Sequence, residues 1–122
     1  MNILVAEDNL LNQKLVHKLL TNEGYSVKVV ENGLAAVEAF EREGPFQCIL
    51  MDLHMPEMDG AEAAEKIRSI PSGQHVPIIA LSGESDLIET VDKFTELFNA
   101  SLSKPLTKGS VGSLIFQLTM SK

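Results

Sequence analysis

The tightest constraint on this chain is the run Cys48-Ile49-Leu50-Met51, apolar at every position and stopped by an acid, Asp52. A strand with one wet face alternates polar and apolar residues. A run without alternation reads as a strand buried on both faces. Val76 to Leu81 reads the same way, and Ile3-Leu4-Val5-Ala6 is a shorter run stopped by Glu7-Asp8-Asn9. Strands buried on both faces belong to parallel sheets covered by helices.

The segments between these runs have helical spacing. Leu11, Leu15, Val16, Leu19 and Leu20 form one apolar stripe, with Asp8 or Asn9 placed to cap it and Asn22-Glu23-Gly24 to end it. Tyr25 to Val30 mixes β-branched and polar residues, as a less buried strand does. Asn32-Gly33 reads as a turn. Ala36, Val37 and Phe40 mark a helix ended by Gly44-Pro45; Ala61, Ala64, Ile67 and Ile70 mark another, closed by Pro71-Ser72-Gly73. Leu87, Val91, Phe94 and Phe98 predict a fourth helix, Ala100 to Ser103 a weak fifth strand, and Val111, Leu114, Ile115 and Leu118 a last helix. The order is strand then helix, five times over. That pattern predicts an α/β domain with right-handed crossovers.

The 122 residues suit one domain, residues 1–122, with no linker or repeat. Its 44% hydrophobic and 22% charged content is ordinary for a globular chain. No apolar run approaches membrane-spanning length, so no membrane insertion is expected. A net charge of −7 argues against neutralising a nucleic-acid backbone. Cys48 is the one cysteine and is expected as a reduced core residue, in keeping with a cytoplasmic setting. His17 and His75 are expected on the surface, Phe94 and Phe98 in the core.

In an open parallel sheet, ligands meet the carboxyl ends of the strands. Glu7 and Asp8 stand after the first strand, Asp52 after the third, Ser82 after the fourth, and Lys104, followed by Pro105, after the fifth. Three carboxylates brought together repel, and a divalent cation resolves the repulsion. Oxygen donors suit Mg²⁺ or Mn²⁺. A carboxylate is also a competent nucleophile toward phosphorus. Lys104 would then balance phosphoryl charge, and Ser82 would donate a hydrogen bond.

These residues carry a resemblance. VAEDN, MDLHMPEMDG, ALSG and LSKPL, in this order at the ends of successive strands, resemble the receiver domain of two-component response regulators. EDN followed by Asn12, and MPEMDG, are most similar to receivers of hybrid histidine kinases. The resemblance covers essentially the whole chain. It implies a flavodoxin-like doubly wound (βα)5 fold with strand order 2-1-3-4-5. It implies that Asp52 accepts a phosphoryl group from a phosphohistidine on a histidine kinase or histidine phosphotransfer protein, and that the aspartyl phosphate is slowly hydrolysed. Such a domain is a phosphoacceptor and not an enzyme. Asp8 would bind the metal directly, Glu7 through water, and the His54 backbone carbonyl would add a ligand. Ser82 would move to the new phosphate, and Lys104 would contact it, with Lys104-Pro105 in the cis form. Pro56 and Gly60 would shape the adjoining loop. His54 and Glu84 would tune hydrolysis.

One position departs from the pattern. Receivers usually carry an aromatic residue three places before the site lysine, and here Ser101 stands there. The expectation is a weaker or different switch on the face built from the fourth helix, fifth strand and last helix, which is also the face for a dimer. The alternative is a receiver-fold docking or dimerisation module that works without phosphorylation. A haloacid-dehalogenase-type phosphatase needs a second Asp where His54 stands. A flavin binder needs a hydroxyl-rich phosphate loop where Glu7-Asp8 would repel the phosphate.

Overall fold

The computed structural model describes residues 1–53, 55, 58–82, 97–103 and 108–120. Five strands, β1 (Asn2–Ala6), β2 (Ser26–Val30), β3 (Cys48–Asp52), β4 (Ile78–Ser82) and β5 (Ala100–Ser103), form one sheet in the order β2-β1-β3-β4-β5. Every pairing is parallel. The helices are α1 (Leu10–Asn22), α2 (Gly33–Glu43), α3 (Gly60–Ser69) and α4 (Lys108–Met120), with a short 3-10 turn at Pro71–Gly73. The helix expected over Leu87, Val91 and Phe94 lies outside the described residues. Among the described residues no helix is long and apolar enough to cross a membrane.

The uninterrupted apolar runs behave as their patterns require. All five residues of β3 are buried. Successive side chains point to opposite faces, so the sheet feeds two cores. Leu4, Ala6, Ile49, Met51, Ile78 and Ala80 pack with α2 and α3. Ile3, Val5, Cys48, Leu50, Ile79 and Leu81 pack with Val16 and Leu20 of α1 and with Val111 and Ile115 of α4. Phe98 joins the first core at 5% exposure, as expected. His17 and His75 are exposed.

Two local readings change. Asn32 does not form a free turn. Its side chain accepts the Ala35 N–H at 2.7 Å and caps α2, whose first residue is Gly33. The α1 stripe is also narrower than its spacing predicts. Val16 and Leu20 are buried, whereas Leu11 is 75% exposed and Leu15 40%. The helix carries leucine on two sides, and only one of them meets the sheet.

Arg68 ties together the segments that lead into β4 and β5. Its guanidinium donates to the carbonyls of Leu97, Gly73 and Val76 and to Asn99 Oδ1. Asn99 Oδ1 also accepts the Ile78 N–H at 2.9 Å. One cation thus joins α3 to the starts of β4 and β5.

Cys48 is buried and free, and burial pushes its thiol from 9.0 up to about 12. The thiolate is the reactive form, so native Cys48 is expected to resist alkylation at pH 8 and to react once the chain unfolds. The unfolded chain ionises from about pH 9 and the folded chain only near 12. This group's stabilising contribution is therefore whole below pH 9 and lost as pH rises toward 12. Urea midpoints across that range, compared with Cys48→Ala, check it.

Candidate functional site

The site begins where β1 turns into α1. The Glu7 N–H donates to the Val30 carbonyl at 3.0 Å, which extends the sheet by one residue. Glu7 is 1% exposed, and its Oε2 accepts the Asn9 N–H at 3.1 Å. Asn9, not Asp8, is the helix cap: Asn9 Oδ1 accepts the Asn12 N–H at 2.9 Å. Gln13 closes the corner from the first turn of α1. Its Nε2 donates to the Glu7 carbonyl at 2.7 Å. Asp8 lies between these anchors with its side chain exposed.

Asp52 ends β3 beside Leu81 of β4 and is 4% exposed. The chain leaving it is held in two places. The Leu53 N–H donates to the Leu81 carbonyl at 3.2 Å, and the Gly60 N–H donates to the Leu53 carbonyl at 3.1 Å. Gly60 starts α3 directly against the backbone of Asp52, where a Cβ would collide with the Asp52 carbonyl oxygen. Gly33 does the same at the start of α2, donating its N–H to the Met58 carbonyl at 3.1 Å in a space no Cβ fits. Two glycines therefore allow close backbone contacts at Asp52 and at Met58.

Glu7, Asp8 and Asp52 each bring a carboxylate oxygen to within 4.8 Å of the other two. At an effective dielectric of about 20, two unit charges at that spacing repel by roughly 3 to 4 kcal/mol. Two of these groups are buried, so water screens them little. A donor set of three hard oxygens fits Mg²⁺ or Mn²⁺ and disfavours softer metals. Ser82 ends β4 at the same edge of the sheet, paired with Ser103. Ser101 lies on β5 opposite Ala80 and is exposed. His54, Pro56, Glu84, Lys104 and the Lys104-Pro105 bond lie outside the described residues.

Residues 3–115 match the response regulator receiver domain family. The chain belongs to that family. It is a receiver domain of two-component signalling systems, of the kind found in hybrid histidine kinases. It is 38% identical, over 120 residues and 89% of its length, to hybrid signal transduction histidine kinase B of Dictyostelium discoideum. It spans only 6% of that kinase, and 5% and 7% of two further histidine kinases. Among solved structures it resembles the receiver domain of the sensor histidine kinase PA1611 of Pseudomonas aeruginosa PAO1, at 32% identity and a TM-score of 0.88, covering 99% of this chain and 98% of that one. That domain holds a magnesium ion coordinated in its active-site cleft. The receiver of the Saccharomyces cerevisiae response regulator Ssk1, solved with the histidine phosphotransfer protein Ypd1, matches at 28% identity and a TM-score of 0.86, covering 98% of this chain and 89% of that one.

Two features of this receiver were not anticipated from its sequence. Gln13 was one of many polar helix residues, and nothing in its spacing announced a bond to a carbonyl six residues back. Leu10, Leu11 and Leu15 stand 65%, 75% and 40% exposed on α1, the helix that starts three residues after Glu7. The helical spacing located α1 without saying which of its leucines meet the sheet.

Proposed function

We propose that residues 1–122 form one Mg²⁺-dependent phosphoacceptor receiver, with Asp52 as the accepting residue and a phosphohistidine on a histidine kinase or phosphotransfer protein as the donor. The observation that carries this reading is the convergence of Glu7, Asp8 and Asp52 at one sheet edge. Asp8 and Asp52 hold the cation directly, Glu7 acts through water, and the His54 carbonyl completes the protein ligands. When bound, Mg²⁺ (or Mn²⁺) offsets negative charge on the incoming phosphoryl oxygens. An Asp52 carboxylate oxygen attacks phosphorus, the phosphorus–nitrogen bond breaks, and the released imidazole nitrogen takes up a proton. Asp52 then carries a mixed anhydride. Lys104 pairs with one phosphoryl oxygen and Ser82 donates to another. Slow hydrolysis restores the carboxylate, so the domain is a stoichiometric relay and not a turnover enzyme. The reading carries a cytoplasmic location, where ATP-fed kinases work.

The donor protein docks beside the acids, on the exposed leucines of α1. Leu10, Leu11 and Leu15 offer apolar surface on the helix that starts two residues after Asp8, and such surface marks interaction sites. Ser101 in place of an aromatic residue fits a relay that passes phosphate on with little change at β5.

The test uses a phosphorylated histidine phosphotransfer protein as donor. Phosphate is expected to reach this receiver with Mg²⁺ present and to stay on the donor after chelation. Leu11→Asp and Leu15→Asp are each expected to slow this transfer at least tenfold, about the effect of losing one buried apolar contact, while leaving phosphorylation by acetyl phosphate unchanged. Equal slowing with both donors would place the fault at the site and not in docking. Transfer that persists in chelator would contradict the metal-dependent reading.

A further inference from the structure

We infer that Gln13 is a positioning residue for Asp8: its carboxamide fixes the Glu7–Asp8 peptide and so aims the Asp8 carboxylate at the cation. The inference rests on the reading above, because it takes the acid cluster to be a cation site.

Asp8 is exposed, so packing does not hold its side chain. The direction of the Cα–Cβ bond from which its carboxylate hangs is set by the backbone on either side. A peptide group is planar, and fixing both planes that flank a residue leaves its Cα–Cβ bond one direction. Both planes are held here. The carbonyl of the Glu7–Asp8 peptide accepts from Gln13 Nε2 at 2.7 Å. The N–H of the Asp8–Asn9 peptide donates to Glu7 Oε2 at 3.1 Å. The second of these anchors comes from the buried acid itself. The first comes from a side chain outside the acid cluster.

Gln13 is suited to the task by chemistry and by place. Its own N–H donates to the Asn9 carbonyl at 2.9 Å, so its side chain springs from a fixed turn of helix. A carboxamide donates to a carbonyl without bringing charge. A glutamate cannot donate when ionised, and a lysine would place a cation beside the acids. Mg²⁺ demands nearly ideal octahedral geometry, so a small rotation of the Asp8 carboxylate weakens binding. Asn9 contributes differently: its side chain caps α1 and leaves the Glu7–Asp8 peptide untouched.

The test measures Mn²⁺ affinity by electron paramagnetic resonance, with Mg²⁺ competition, for the parent, Gln13→Met and Gln13→Ala. Methionine keeps the length without the donor, and alanine guards against a misfit side chain. Amide exchange at Asp8, Asn9 and along α1 is read in metal-free protein, beside thermal unfolding. The inference predicts dissociation constants raised about fivefold, the factor that accompanies one lost hydrogen bond. It also predicts faster exchange confined to Asp8 and Asn9 and a melting temperature lowered by no more than about 3 °C. Parent-like affinity in both variants would overturn the role of Gln13 and leave the cation site standing. Weaker binding with faster exchange along the whole of α1 would also overturn it, since Gln13 would then be a general support. A parent that binds neither ion would overturn the cation site and this inference together.

Discussion

Gly60→Ala is expected to lower the stability of the fold by about 3 kcal/mol and to reduce phosphoryl uptake at Asp52 with it. The added Cβ would collide with the Asp52 carbonyl oxygen and would lie 2.9 Å from the Asp52 carbonyl carbon and from Leu53 Cα. These are backbone atoms, so no rotamer change relieves them. Either α3 withdraws from the sheet or the end of β3 moves. Withdrawal strips Ala63, Ala64 and Ile67, all fully buried, from their core contacts. Movement of β3 displaces the nucleophile, and small misplacements of a reacting group cost large factors in rate. For a domain of this size the melting temperature should fall by roughly 10 °C. Gly112→Ala is the control. The atoms nearest its Cβ would be those of the flexible Glu23 side chain, at 3.3 Å and beyond. Alanine also favours a helix over glycine, by about 1 kcal/mol. That variant should be as stable as the parent or more so. A loss below 1 kcal/mol in Gly60→Ala would mean that the α3–β3 junction tolerates what its spacing forbids.

The strands were legible because burial on both faces leaves a pattern nothing else makes: an apolar run too short for a buried helix and flanked by turns. Cys48–Met51 is the clearest instance. The convergence of Glu7, Asp8 and Asp52 was legible for a topological reason. In a parallel sheet every strand delivers its carboxyl end to one edge, so residues distant in sequence meet there. Contacts made across elements were not legible. Periodicity located α1 but could not say which of its two leucine-bearing sides meets the sheet, so the exposure of Leu11 and Leu15 was not legible. Asn32 was misread because asparagine serves a turn and a helix cap through the same side-chain oxygen. Gly60 was expected to shape a loop, and its approach to the Asp52 backbone is visible only in three dimensions. Gln13 left no trace, because a glutamine that reaches back to a carbonyl reads like one that faces water.

Asp52→Asn is expected to abolish phosphoryl uptake altogether. A neutral amide has no anionic oxygen to attack phosphorus, and the neighbouring acids are not equivalent substitutes. Glu7 has one carboxylate oxygen committed to the Asn9 N–H, and Asp8 stands exposed beyond the sheet edge. The most direct measurement is intact mass after incubation with Mg²⁺ and acetyl phosphate, on the parent, the parent with chelator, and Asp52→Asn. A gain of one phosphoryl group by the parent alone, lost on chelation, is the predicted result. A gain by Asp52→Asn equal to the parent's, or an unmodified parent that binds Mg²⁺ and still takes no phosphate from either acetyl phosphate or a phosphohistidine protein, would contradict the assignment of Asp52 as the phosphoacceptor.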